Sequence, residues 1–141
     1  MTLPLRLDRQ CATAATGADF LARDARVAHV AYPGLPEHPG HALAAAQFGG
    51  WYGGVISFAL AGAHADRLRF VDDLRLITSA VPLGHDETLI VYETYPGRSA
   101  EASAQPFRDH GLIHLAVGLE APEDLVADLD AALTTAYFAA P

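Results

Sequence analysis

The chain has 141 residues, a length that suits one domain with a single core and no need of a disulfide or metal. Hydrophobic residues make up 51% and charged residues 18%, below the rough quarter charged of an ordinary globular domain. The 17 Asp+Glu against 9 Lys+Arg give a net charge of −8 with no basic run, which argues against nucleic acid or an anionic membrane as a partner.

In chain order, residues 3–23 read as a helix. Leu3, Leu7, Cys11, Ala14, Ala18 and Leu21 recur at three- and four-residue steps along one apolar stripe. Thr2 is placed to cap it, and Pro4 is tolerated in a first turn. Val27–Tyr32 is rich in β-formers and reads as a short strand. The prolines and glycines between Tyr32 and Gly40 demand an irregular loop, after which Pro39–Phe48 reads as a short helix. Paired glycines around Trp51 and Tyr52 lead into a strand over Val55–Leu60. Ala63–Asp72 reads as a helix and Leu74–Ser79 as a strand.

Val81–Arg98 reads as mostly loop, with a short extended piece near Thr88–Val91. Ser103–His110 offers a turn of helix, and Leu112–Val117 reads as a strand. Pro122–Phe138 carries the clearest helix signature. Pro122 sits at its start, Glu123 and Asp124 fill the first turn, and Leu125, Leu129, Ala132, Leu133 and Ala136 form its buried stripe. This order predicts a single α+β domain over residues 1–141, a two-layer sandwich with helices packed on one face of a small, mostly antiparallel sheet.

Two residue counts bound the chemistry. The one cysteine, Cys11, permits no intrachain disulfide, which suits a reducing cytoplasm, and its place in the first helix's stripe reads as a buried structural thiol. There is no lysine; all nine basic residues are arginine, so a mechanism that needs a side-chain amine is closed to this chain alone. No signal-peptide pattern opens the chain, and no apolar run approaches the roughly 20 residues of a membrane span. The apolar excess leaves surface for a partner chain or for a homo-oligomer contact to cover.

Four ordered segments carry a resemblance. Tyr32-Pro33-Gly34-Leu35-Pro36-Glu37-His38-Pro39-Gly40-His41 is similar to a YPGLPSHP-x-H loop. Phe48 to Phe58, with its paired glycines, is similar to a GFGG stretch entering a strand. Leu83-Gly84 with Glu87-Thr88-Leu89 resembles an SLGG-x-ES-L segment. Gly111 to Glu120, followed by Glu123-Asp124-Leu125 and Asp128-Leu129, resembles a closing strand and helix. Together, over about residues 3–135, they resemble the C-terminal domain of the Cys/Met-metabolism family of pyridoxal-phosphate (PLP) enzymes, which includes cystathionine synthases and lyases, methionine γ-lyase and homoserine sulfhydrylases.

The resemblance implies the small domain of a two-domain, fold-type-I PLP enzyme. The large domain of that family holds the Schiff-base lysine and the phosphate cup, and the missing lysine here agrees independently. PLP is therefore expected only through a partner chain. In the family the small domain gives the shared site an arginine that grips the substrate carboxylate and a serine in the SLGG segment. At those places this sequence has His114 and Pro82. Arginine is a permanent, bidentate cation, histidine is largely neutral near pH 7, and proline has neither hydroxyl nor N–H. Arg98, in a loop where the family carries a threonine–histidine pair, is a third candidate for the substrate side, set against a plain solvated loop arginine.

His114 alternates with Ile113 and Leu115 and so is expected on the opposite sheet face, either as a pocket residue or as a half-buried strand histidine with a backbone partner. His29, His38 and His41 match no metal pattern, and the loop histidines are expected to be structural. Gly49–Gly54 lacks the strand–glycine–helix order and the lysine of a phosphate loop. Trp51, Tyr52, Tyr92, Tyr95 and Phe107 serve equally as interface anchors or as core cover.

Three functional readings follow. The first is the small subunit of a split PLP enzyme for β or γ elimination or replacement, with a large PLP-binding subunit as partner. The second is a non-catalytic binding or regulatory module. The third is an expressed fragment of a longer enzyme. Relatives of this family are implied to be tetramers, although their main contacts involve the other domain.

Overall fold

The structure, a computed structural model, describes residues 2–81, 84–93 and 105–138. The chain runs α1 (Leu3–Arg23), β1 (Val27–Ala31), α2 (His41–Phe48), β2 (Val55–Leu60), α3 (His64–Asp73), β3 (Thr78–Ser79), β4 (Leu89–Glu93), α4 (Gln105–His110), β5 (Leu112–Ala116) and α5 (Pro122–Phe138). The five strands form one sheet in the order β1-β2-β5-β4-β3. Every pairing is antiparallel except β3 with β4, so the fold is the α+β sandwich expected from the sequence.

One face of the sheet carries the core. α1 packs on β1, β2 and α5, while α3 packs on α5 and β4. Between these helices and the strands lie Leu21, Ile56, Phe58, Phe70, Ile90, Ile113, Leu115, Leu125, Leu129 and Leu133, all fully buried. Each such side chain contributes about 1.5–3 kcal/mol on leaving water. Cys11 lies among the buried residues of the α1 stripe, as its spacing predicted. Among the described residues no helix is long and apolar enough to cross a membrane.

Helix ends follow local chemistry. α2 stops at Phe48 because Gly49 takes the left-handed conformation (φ 59°) that a C-terminal cap favours. It starts at His41 rather than Pro39, with Gly40 as its N-cap, whose N–H donates to His38 Nδ1 at 3.0 Å. α5 begins at Pro122 with Glu123 and Asp124 at its positive end. Thr2 precedes α1 but makes no side-chain cap; only its carbonyl is engaged, accepting from the Arg6 N–H at 3.0 Å.

Two sheet elements differ from the sequence reading. The strand expected over Leu74–Ser79 shrinks to Thr78–Ser79. The Asp128 carboxylate on α5 accepts the N–H groups of Arg75, Leu76 and Ile77 at 2.9–3.0 Å, which removes them from any ladder. Conversely, the short extended piece near Thr88–Val91 is a full inner strand, Leu89–Glu93, bonded to β5 on one side and β3 on the other. Tyr32 leaves β1 and turns into the core, 1% exposed.

Candidate functional site

β5 is the middle strand, and its alternation separates two tasks. Ile113 and Leu115 face the helices and are fully buried. His114 points to the other face and is half-buried, between Ser57 of β2 and Val91 of β4. Its ring is not left to a backbone partner: the Ser57 hydroxyl lies 2.9 Å from His114 Nδ1. Among the described residues, the distal nitrogen Nε2 has no hydrogen-bond partner. Continuing the row outward, Ser57 pairs with Ala31 of β1. The three long helices leave this face free; the short α4 packs over its β1–β2 end, where Phe107 meets His29 and Ala59 is fully buried, while Val55 at the other end is 48% exposed.

Of the three expected site residues, His114 is the one the described structure places. Pro82 and Arg98 lie outside the described residues. The segment that follows Pro82 is nevertheless held firmly beside the site strand. The Glu120 carboxylate accepts the Thr88 N–H at 2.7 Å and the Thr88 hydroxyl at 2.5 Å, and the hydroxyl oxygen accepts the Gly118 N–H at 2.9 Å. Leu119 N–H donates to the Asp86 carbonyl, Gln10 donates to the His85 carbonyl, and Arg6 pairs with Asp86 at 2.6 Å. Gly118 is required here, since a Cβ would stand 2.4 Å from the Asp86 oxygen. This clamp joins residues 85–88 to α1 and to the end of β5.

The loop from Tyr32 to His41 is a second scaffold. The buried Tyr32 hydroxyl donates to the Gly53 carbonyl at 3.0 Å, and burial pushes its phenol well above the ordinary value, so it stays a neutral donor. His41 Nδ1 contacts the Pro33 carbonyl at 2.8 Å, and its ring stacks on Tyr52 with centroids 5.6 Å apart. His38 accepts from Gly40. Both loop histidines therefore serve backbone order, in line with their reading as structural residues. Gly34 is needed for close approach: a Cβ would stand 2.5 Å from the Tyr32 ring. Among the described residues no group of three or more His, Cys, Asp or Glu is placed to hold a metal ion.

An open groove of about 780 Å³ runs beside the edge strand β1, lined in part by His29, Leu35, His38 and Phe107. His29 meets Phe107 of α4 edge-on at 5.3 Å. The groove does not include His114, and two of its polar pairs are engaged locally: Asp19 with Arg23, and His38 with Gly40.

Ser57 is the partner of His114 that the sequence reading missed. Its signal is faint: one hydroxyl in the apolar run Val55–Leu60, on the face opposite Ile56 and Phe58. Only the β2–β5 register reveals that it faces His114.

Comparison with known proteins adds the setting. A family model described as Cys/Met metabolism PLP-dependent enzyme matches residues 1–134. A canavanine γ-lyase of Pseudomonas canavaninivorans is 48% identical over 97% of this chain and 35% of its own length. An L-methionine γ-lyase of Pseudomonas putida is 41% identical over 94% of this chain and 34% of its own length. A crystal structure of cystathionine γ-synthase from Xanthomonas oryzae pv. oryzae, in complex with aminoacrylate and cysteine, superposes with a TM-score of 0.85 at 40% identity. It covers 99% of this chain and 36% of the other. The chain thus spans about a third of the length of the relatives it matches.

Proposed function

The chain belongs to the Cys/Met metabolism PLP-dependent enzyme family, and from that premise we propose that it is the substrate-side small subunit of a split enzyme. Its partner is a large chain that supplies PLP and the lysine. The reaction is elimination or replacement at the β or γ carbon of an amino-acid-like substrate, in the cytoplasm, where the lone buried Cys11 stays reduced. The carrying observation is the absence of lysine from a chain that matches only a third of each relative.

The residues present do not fit PLP on their own. The cofactor is held through a lysine, and this chain has none. Arg26 is committed to Asp24 and Asp130, and Arg67 to the carbonyls of Leu60 and Gly62, so neither serves a phosphate. No step is therefore assigned to the cofactor within this chain. What the chain contributes is a wall: the sheet face away from the long helices, with His114 presented at its centre between Ser57 and Val91. A histidine at the position of the family's arginine offers one hydrogen bond in place of a bidentate, charged grip. Substrate orientation then rests more on the partner chain.

The test is purification of the tagged chain from its native cells, followed by assay with L-methionine, L-canavanine and L-cystathionine. A yellow complex with a second, lysine-bearing chain at fixed stoichiometry, whose turnover falls when this chain is removed, is the expected result. Equal turnover by the large chain alone would overturn the proposal. A colourless preparation with no such chain favours the competing reading, a binding or regulatory module, which draws its support from His114 and Pro82 standing where the family has arginine and serine. If the coding sequence joins this domain to a PLP-bearing one, the chain is a fragment, and the role of the sheet face is unchanged.

A further inference from the structure

We propose that Ser57 is the positioning residue of the site: its hydroxyl holds His114 as the tautomer with the proton on Nε2. The position then presents one N–H donor, from Nε2, to a carboxylate oxygen of the substrate. The assignment of a carboxylate rests on the functional reading above; the tautomer does not.

The argument is one of hydrogen-bond economy. A serine hydroxyl has one proton to give, and a neutral imidazole has one N–H and one lone pair. Ser57 Oγ and His114 Nδ1 stand 2.9 Å apart across the β2–β5 pair. If Nδ1 carried the proton, Ser57 would accept from it and would have to turn its own proton out to solvent, since among the described residues its hydroxyl has no second bonded partner. If Ser57 donates to the Nδ1 lone pair, both groups are satisfied, and the ring proton sits on Nε2. The strand frame fixes the rest. Ile113 and Leu115 are fully buried on either side of His114 in sequence, so β5 cannot rotate to aim the ring elsewhere.

The consequence is a specificity statement. With Nδ1 occupied, the ring brings no permanent charge and only one donor, so it aligns one carboxylate oxygen and leaves the second to groups on the partner chain. A guanidinium in its place would engage both oxygens.

The tautomer is read directly by long-range proton–nitrogen correlation on the chain labelled with ¹⁵N-histidine. His114 is assigned as the signal lost in His114→Gln. The expected spectrum shows a protonated Nε2 and an unprotonated Nδ1 in the native chain. In Ser57→Ala the Nδ1 resonance shifts and the tautomers mix, and in Ser57→Thr the native pattern returns, with a dispersed amide spectrum confirming the fold of each variant. A protonated Nδ1 in the native chain, or an imidazole spectrum unmoved in Ser57→Ala, overturns the inference even if the split enzyme is real. In the complex with the large chain, Ser57→Ala should raise KM for the amino acid turned over by roughly tenfold, as for one lost oriented hydrogen bond, with kcat changed far less, and Ser57→Thr should restore it. A native tautomer as stated, combined with no PLP-bearing partner, removes the functional reading and leaves the Ser57–His114 assignment in place.

Discussion

The two faces of the sheet are built from the same strands and have opposite characters. On the helix side, Ile56, Phe58, Ile90, Ile113 and Leu115 are sealed from water. On the other, Ser57, His114 and Val91 form a half-buried row that no long helix covers. A one-residue step along β5 crosses from the sealed core to a polar, half-buried row. The period-two alternation of a strand makes this possible, and it lets one face change its chemistry without disturbing the other.

Three substitutions sharpen or break that contrast. Leu115→Ala, on the sealed face, should cost about 3 kcal/mol, within the range for deleting a buried leucine, and is read by urea or thermal unfolding. A cost below about 1 kcal/mol would mean that the helix layer does not carry the fold.

Asp24→Asn tests how the sealed side is closed at its edge. Arg26 joins Asp24 to Asp130 and Thr134, tying the start of β1 to α5. The Arg26 hydrogen bond is the largest influence on Asp24. It outweighs the opposing effect of burial and holds the carboxyl below its ordinary value of 3.8. A depressed folded-state value contributes stability that is present above the unfolded value and lost as pH falls through the folded one. The variant should therefore lose about 1–2 kcal/mol at pH 7. Its difference from the native chain should shrink in unfolding curves taken below pH 3.8.

His114→Gln, one residue from Leu115 on the open face, should move stability by no more than about 0.5 kcal/mol. In the complex with a PLP-bearing chain it should alter KM. A large loss of stability would make His114 a core residue and remove it from the site.

The sequence made much of this legible, for identifiable reasons. α1, β2 and α5 lie where their periodicity placed them, because each has a continuous apolar pattern and α5 has its own start signals. The family was readable from motifs that the structure explains: Gly34 must admit the Tyr32 ring, and Gly118 must admit the Asp86 carbonyl. Where the sequence reading fell short, a distant residue decided the outcome. β3 was cut back by Asp128, more than fifty positions from the N–H groups it takes. β4 gained inner-strand status from partners on both sides, which no local pattern in Thr88–Val91 announces. Ser57 became visible only through a register joining residues 57 positions apart. Pro82 and Arg98, expected on the substrate side, lie outside the described residues, and their part in the site remains an expectation from the resemblance.

The strand order has a consequence for how the domain is made. β5 lies between β2 and β4, yet it is the last strand in the chain. Until residues 112–116 have emerged from the ribosome, β2 and β4 have no common neighbour, and the apolar faces of α1 and α3 have no complete sheet to cover. Apolar residues of β2, β4, α1 and α3 that share the core with β5 therefore stay unsatisfied until it is in place, an exposure that chaperones exist to shield. A stop codon ahead of Leu112 would remove His114 and leave β1–β2 and β3–β4 as two separate pairs, a chain open to the cell's proteases.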